Sequence, residues 1–379
     1  MIQFAWLKII RYLQKIIPHD SKFKNFIITV AKYETVIVRN SRRNFKALKH
    51  GDEAVIEMPV VDLHYENPDD IFNCPDIDII DICTPNIYHK EAVIKAIQTG
   101  KHVYCDKPLT VNFEETKEII ELLKGSQVIT QMALQNRFFP ATLHAKELIE
   151  QDKIGKVTSF RACYLHAGSV DSNKKIGWKQ EKKFGGGVLV DLGSHVIDLM
   201  YYLLGEYASV FAHMDILYKQ RPDKDGNMVD IEAEDSAIMI AKMRSDVTGT
   251  IEATKTATGT NDELRFEIHG DKGAIRFNLM EPNWLEFYDN TLPDGNYGGE
   301  KGFNKIECVQ RYNKPGGDFP GPKFSLGWIR AHVHSLYNFL CCVDEGREAT
   351  PSFQDGAYVQ YVMEKAYESD RKKCWIDLD

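Results

Sequence analysis

Residues 76–109, DIDIIDICTPNIYHKEAVIKAIQTGKHVYCDKPL, admit few folds. DIDIIDICT is a near-continuous, isoleucine-rich apolar run, the pattern of a strand covered on both faces of a parallel sheet. HKEAVIKAIQTG carries apolar residues at helical spacing and puts Gly100 at the expected helix end. KHVYCDKP reads as the next short strand, closed by Pro108. A strand, helix, strand unit of this kind belongs to an α/β sheet, whose ligands bind beyond the carboxyl ends of the strands. Thr84, Pro85 and Lys107 fall at those ends, and Cys83 and Cys105 are expected on the buried strands.

A second stretch carries chemistry: GGGVLVDLGSHVIDL, residues 185–199. If the chain is helical after Val190, Asp191 and His195 lie one turn apart, with Asp198 on the same side. Leu192, Val196, Leu199 and Met200 would hold that helix against a core. Three glycines ahead of a helix let another molecule approach the backbone closely. A carboxylate beside an imidazole tunes it as a proton acceptor near neutral pH. The competing reading is a helical turn that Asp191 caps and in which His195 is buried and satisfied.

Taken in order, CTPN at 83–86 with His89, CDKP at 105–108, QNRF at 135–138 and GGG…DLGSH at 185–195 resemble the Gfo/Idh/MocA family of NAD(P)-dependent sugar and polyol oxidoreductases. The resemblance runs from about residue 62 to the C-terminus. It takes in FEIHGDKGAIRF at 266–277 and SFQDGAYVQYVMEKAYESD at 352–370, which look like the family's late strand pair and final helix. The chain writes DKP where the family usually writes EKP. The fold implied is α/β: a Rossmann-like doubly wound parallel sheet over 1–127, then an α+β domain with a large, mostly antiparallel sheet over 128–379. Family resemblance also implies a homodimer or homotetramer formed through that C-terminal sheet.

Composition is consistent with this. A formal net charge of -8, without a lysine or arginine block, argues against nucleic acid. The eight cysteines lack metal-type spacing and read as reduced thiols of a cytoplasmic protein, so no metal is expected. No apolar run reaches the ~18 residues of a membrane span, and Lys8, Arg11 and Lys15 interrupt the apolar opening, which speaks against a cleaved signal peptide.

Along the chain, a strand is expected at 127–134, a helix at 140–151 and alternating strands from 157 to about 280, with a helix over 187–204 packed on one face. Residues 292–325 hold seven glycines and four prolines and read as a loop. Helices at 328–345 and 356–370 close the chain.

The opening departs from the family. A Rossmann domain needs G-x-G-x-x-G after its first strand, for a tight turn and close approach of pyrophosphate. The first glycine here is Gly51. MIQFAWL reads as a first strand and KIIRYLQKII as a first helix, with no glycine at Trp6, Leu7 or Lys8 between them. Residues 27–43 read as a second strand ending in Asn40, Ser41, Arg42 and Arg43. An aspartate there would bind a ribose diol; small polar residues with arginines suit a 2′-phosphate, so NADP is favoured slightly over NAD. A solvated basic turn fits those residues equally. Three accounts stand for the missing glycines: a misread frame near the start, loss of cofactor binding, or a divergent phosphate loop.

By resemblance, the reaction is hydride transfer between a nicotinamide and a secondary alcohol of a sugar, sugar derivative or cyclitol. His195 is then the acid/base, Lys107 polarises the substrate oxygen, and Asp191 binds substrate and orients the pair. Cys83, Thr84, Pro85, Asn86, His89, Asp106, Lys107, Gln135 and Arg137 are expected on the cofactor side, with Ser41, Arg42 and Arg43 at the adenosine end. For Arg137 a structural ion pair is an equal reading. Tyr164 and Trp178 are expected to line the substrate pocket, with His166, Lys179, His332 and His334 as further candidates. Two rivals remain: a relative that cleaves glycosidic bonds through transient oxidation, and a catalytically silent sugar-binding or regulatory protein.

Overall fold

The computed structural model describes residues 25–28, 37–40, 46–50, 53–57, 67–309 and 325–379. The chain divides into two compact units. One takes the chain up to Ala133 together with Leu336–Ala357; the other takes Leu134–Ser335 and Tyr358–Asp379. This division differs from a simple cut after residue 127, because a late segment returns to the first unit.

In the first unit, β1 (Asn25–Ile28) pairs antiparallel with β2 (Ile37–Asn40), and β3 (Lys46–His50) with β4 (Glu53–Glu57). Residues 27–43 are therefore not one strand of a parallel sheet, as the sequence suggested: Ile27 sits opposite Val38. The expected first strand and helix, and Ser41, Arg42 and Arg43, lie outside the described residues. After the short α1 (Pro68–Phe72) come β5 (Ile79–Ile82), α2 (His89–Gln98), β6 (His102–Cys105), α3 (Phe113–Leu123) and β7 (Thr130–Met132). The three strands form a parallel sheet in the order β5-β6-β7. Asn112 caps α3 by accepting from the Glu115 N–H at 2.9 Å. The returning segment is fastened to β7: the Met132 N–H donates to the Pro351 carbonyl at 2.8 Å, and Asn338 donates to Gln131 at 2.8 Å.

All four residues of β5 are buried, which is why its isoleucines occupy both faces. Asp81 is the exception in kind. Burial, and secondarily the charge of Asp106, pushes its carboxyl up to about 7 against a lowering hydrogen bond from the Cys83 thiol. An acid whose folded pKa exceeds its unfolded 3.8 contributes stability that is complete below 3.8 and lost as pH rises to about 7. The first unit should accordingly lose stability across that window, and Asp81→Asn should flatten the loss. Thermal unfolding at stepped pH checks this; a wild-type slope that survives in the variant contradicts it.

The second unit opens with α4 (Pro140–Glu150) and β8 (Val157–Leu165), and then a π-helical turn (Leu189–Gly193) runs into α5 (Ser194–Leu204). Strands follow: β9 (Tyr207–Asp215), the small hairpin β10 (Gln220–Pro222) and β11 (Met228–Asp230), β12 (Ser236–Met243), β13 (Thr248–Thr254), β14 (Glu263–Gly270), β15 (Gly273–Asn278), β16 (Trp284–Asp289) and β17 (Phe303–Glu307). Helix α6 (Ile329–Glu345) passes from this unit into the returning segment of the first at Leu336, helix α7 (Phe353–Lys372) comes back into it at Tyr358, and the short β18 (Ile376–Asp377) ends the chain. Nine strands form one sheet, β17-β16-β15-β14-β8-β13-β12-β9-β18, antiparallel except where β13 meets β8.

One face of this sheet is the core. Along β12, Ala237, Met239, Ala241 and Met243 are buried against Val196, Ile197, Met200 and Leu203 of α5 and Val362 and Met363 of α7, while Ile238 and Ile240 point away and are exposed. The period-two alternation read from the sequence is this half-buried arrangement. Two expectations need correction. Residues 292–325 are not all loop, since Phe303–Glu307 adds an edge strand to β16. The run Lys182–Leu204 is long and apolar enough to cross a membrane by length and composition, but 78% of its most apolar window is buried, as in a core helix.

Candidate active site

In the first unit, several of the expected residues lie beyond the carboxyl ends of β5 and β6. Thr84 is two residues past the end of β5; it is buried, and its hydroxyl has no hydrogen-bond partner among the described residues. Pro85 precedes a 3-10 turn, Asn86–Tyr88, in which Asn86 is buried. Past β6, the Asp106 carboxylate accepts from the Lys107 N–H at 2.8 Å, and Lys107 is half-buried. Cys105 is buried as expected, but Cys83 lies just past its strand and is exposed, its thiol donating to Asp81 at 3.3 Å.

His89 does not border a cleft. It is completely buried, with Nδ1 2.8 Å from the Pro108 carbonyl and Nε2 2.8 Å from the Thr84 carbonyl. Both partners are acceptors, so the ring ties the turn after β5 to the turn after β6 through whichever nitrogens carry protons. It ties the backbone at Thr84 to that at Pro108; it is not a wall.

In the second unit, the π-helical turn runs directly into α5. Asp191 sits in that turn and His195 in the first turn of the helix. π-helical turns recur at functional sites because the extra residue re-aims side chains. The three glycines serve the chain itself. A Cβ on Gly186 would lie 2.5 Å from the Lys179 carbonyl oxygen, and one on Gly187 would lie 2.5 Å from Glu234 Oε1. Gly187 also has φ +135, which L side chains rarely adopt. The close approach expected of a ligand at this backbone is made by the 178–181 turn and by Glu234.

Glu234 holds the turn in place. Its Oε1 accepts from the Leu189 N–H at 3.0 Å and the Tyr367 hydroxyl at 2.8 Å, and its carbonyl accepts from the Val188 N–H at 2.9 Å. Burial raises its carboxyl above the ordinary value, against those hydrogen bonds. Asp191 does not cap the helix. Its Oδ1 receives Lys179 Nζ at 2.7 Å and its Oδ2 receives Lys255 Nζ at 2.8 Å. His195 is buried with its ring 5.9 Å from that of Tyr164. Burial, and then the charge and hydrogen bond of Asp262, push the Tyr164 phenol above its usual value, so it stays protonated.

Other expected residues sort differently. Arg137 lies with Gln135 and Asn136 in a buried 3-10 turn, Gln135–Phe138. Its guanidinium grips Asp198, with Nη2 2.5 Å from Oδ1 and Nε 2.9 Å from Oδ2. Of the two readings of Arg137, this geometry is the structural ion pair, and Asp198 belongs to it rather than to the His195 face. Asn136 is the more suggestive neighbour, because its amide is buried with no hydrogen-bond partner among the described residues. Trp178 is half-buried, outside the core, with Lys179 Nζ 5.7 Å from its ring centre. His166 accepts from the Gly168 N–H at 2.7 Å and so shapes its own loop. His332 packs on Trp328 at 4.1 Å, and burial followed by Arg330 pushes His334 down to about 3, which keeps it neutral. Lys255, Glu234 and Asp262 carried no motif; each sits at or near a strand end.

Comparison with known proteins follows the same two halves. Residues 30–134 match a family model described as oxidoreductase family, NAD-binding Rossmann fold, and residues 146–378 match oxidoreductase family, C-terminal alpha/beta domain. The match thus begins ahead of residue 62, where the motifs alone placed its onset. A levoglucosan dehydrogenase of Pseudarthrobacter phenanthrenivorans is 31% identical over 323 residues, 81% of this chain and 82% of its own. A scyllo-inositol 2-dehydrogenase (NAD(+)) of Bacillus subtilis is 30% identical over 363 residues, 91% of this chain and 93% of its own. The solved structure of a levoglucosan dehydrogenase in complex with NADH and L-sorbose superposes with a TM-score of 0.79 at 31% identity, covering 83% of each chain.

Proposed function

The chain belongs to the Gfo/Idh/MocA oxidoreductase family, and from that premise we propose that it is an NAD-dependent dehydrogenase of a secondary alcohol on a sugar, sugar derivative or cyclitol. The observation that supports this reading is Asp191 in the π-helical turn, ion-paired with Lys255, with His195 four residues further on in the first turn of α5, in a chain whose relatives are named sugar and inositol dehydrogenases. The silent-homologue alternative has no such support.

Bound NAD would supply the hydride acceptor at its nicotinamide. Thr84, with its unpartnered buried hydroxyl, and Asn86 fit the cofactor side of the first unit, with Asn136 as a further donor and acceptor. Oxidation removes a hydride from carbon and a proton from oxygen, so the oxygen needs a base and a nearby cation. We assign His195 to accept the hydroxyl proton on an imidazole nitrogen, Lys107 to stabilise the developing alkoxide, and Asp191 to accept a hydrogen bond from a neighbouring hydroxyl. Trp178 and Tyr164 supply aromatic surface to the sugar. NAD is assigned over the NADP preference suggested by Arg42 and Arg43, because the relatives whose names include a cofactor name NAD or NADH. A cytoplasmic setting agrees with eight free cysteines, and the exposed Ile238 and Ile240 on the outer sheet face suit self-association into a homodimer or homotetramer.

Calorimetric titration with NADH and NADPH, followed by a polyol and sugar screen with NAD, tests the assignment. NADH should bind more tightly than NADPH, and at least one neutral polyol should be oxidised. A folded protein that binds neither nucleotide overturns the reading.

A further inference from the structure

Arg221 is the middle residue of the three-residue strand β10, between exposed Gln220 and half-buried Pro222, yet it is only 3% exposed itself. Its guanidinium meets no carboxylate at ion-pair distance among the described residues. It donates instead to two main-chain oxygens of the segment 166–177, from Nη1 to the Asp171 carbonyl at 2.6 Å and from Nη2 to the Ser169 carbonyl. The Tyr218 ring lies beside it, with its centre 5.0 Å from Cζ. Burial raises the Asp235 carboxyl, and the Leu217 N–H and the nearby charge of Arg221 oppose that rise. A buried charge without a direct ion pair is costly unless its donors are used, and here they are used on backbone.

The segment that Arg221 grips leads to both cations on Asp191. Buried Ser169 donates its N–H to the Lys255 carbonyl at 2.8 Å, and the Lys255 N–H donates to the Asp235 carbonyl at 2.8 Å. Lys255 Nζ then reaches Asp191 Oδ2 at 2.8 Å. Further along, the Ile176 N–H donates at 2.9 Å to the carbonyl of Pro222, the neighbour of Arg221. Trp178 and Lys179 come next after Gly177, and Lys179 Nζ reaches Asp191 Oδ1 at 2.7 Å. One arginine thus holds the backbone from which both lysines approach, whereas His195 stands on α5, outside this set of bonds. The planar fork of a guanidinium can bridge two carbonyls in this way; the single ammonium of a lysine fits such a bridge poorly.

We propose that Arg221 is a positioning residue for the substrate side of the site: by bridging the Ser169 and Asp171 carbonyls it fixes the segment 166–177, and through it the placement of Trp178, Lys179 and Lys255 around Asp191. The effect on turnover rests on the hydride-transfer reading of that site; the ordering of the segment does not.

The test compares Arg221→Met and Arg221→Lys with the wild type in amide hydrogen exchange, NADH titration and steady-state kinetics on the polyols of the screen, myo-inositol and levoglucosan first. Because Arg221 reaches the partners of Asp191 and not His195, Arg221→Met should raise KM by on the order of 10-fold while kcat falls by less and NADH affinity is unchanged. The amides of Ser169 and Ile176 should exchange faster by on the order of 10-fold, with those of β14 and β15 unchanged. Arg221→Lys keeps the charge but loses the fork, so it should recover part of both effects, and it carries the test if the methionine variant fails to fold. A KM at the wild-type value overturns the proposal, whatever happens to kcat or Tm. So does a loss of protection spread evenly over the large sheet, which is general destabilisation. If the wild type oxidises no polyol, the hydride-transfer reading fails by itself, and exchange still decides the segment: wild-type protection at Ser169 and Ile176 in Arg221→Met overturns it.

Discussion

His195→Ala is expected to lower kcat by about 10²–10⁴-fold, the usual worth of a general base, while leaving NADH binding unchanged. The expectation follows from position. His195 occupies the first turn of α5, four residues after Asp191, and its ring lies 5.9 Å from the ring of Tyr164. Tyr164 is held protonated by burial and by Asp262, so it does not compete for the substrate's proton. Lys179 and Lys255 offer only donors while charged. His195→Gln separates proton transfer from packing, because glutamine keeps hydrogen-bonding ability and much of the volume but accepts no proton near neutral pH. Both variants should lose kcat alike, and added imidazole should restore part of the activity of the alanine variant alone. Turnover within a few-fold of wild type in either variant would remove His195 from the mechanism.

Much of this was legible in the chain before any coordinates. β5 could be read because a strand covered on both faces must be apolar at every position, and Ile79, Ile80 and Ile82 obey that. The alternation of β12 was readable for the complementary reason, that one face is core and the other is not. Asp191 and His195 were read as one α-helical turn apart, but the chain there begins as a π-helix, Leu189–Gly193, before α5.

The failures share a cause. Gly186 and Gly187 looked like room for a ligand, but what they admit is the Lys179 carbonyl and the Glu234 carboxylate, the latter 47 residues away from Gly187 in a segment with no motif. His89 looked like a site residue because it follows CTPN; its two carbonyl partners, one of them 19 residues further on, show why the residue type is needed there. Lys255 was invisible for the same reason, since a single lysine at a strand end has no periodicity to betray it. Local pattern reveals which face of an element is buried; it does not reveal which distant backbone or side chain will occupy the space beside it.

Arg137 is where the two kinds of reading make opposite predictions. Arg137→Met is expected to destabilise the second unit by about 3–5 kcal/mol, because it leaves Asp198 as an uncompensated buried charge. The side chains are 6% and 1% exposed, and the guanidinium also lies 5.1 Å from the ring centre of Tyr202 and 5.8 Å from that of Tyr201. For a unit of this size the loss corresponds to a fall in Tm on the order of 10 °C. The pair itself is a different matter. Two buried charges pay heavily in desolvation, so replacing both by apolar residues of similar volume, Arg137→Met with Asp198→Leu, should recover most of the stability lost in the single variant. A ligand-binding arginine behaves otherwise: its removal would raise KM or weaken NADH binding, leave Tm nearly unchanged, and gain nothing from Asp198→Leu. Thermal unfolding of the two single variants and the double variant, alongside NADH titration of each, separates these outcomes. A single variant that keeps its Tm but loses cofactor affinity would return Arg137 to the cofactor side of the site.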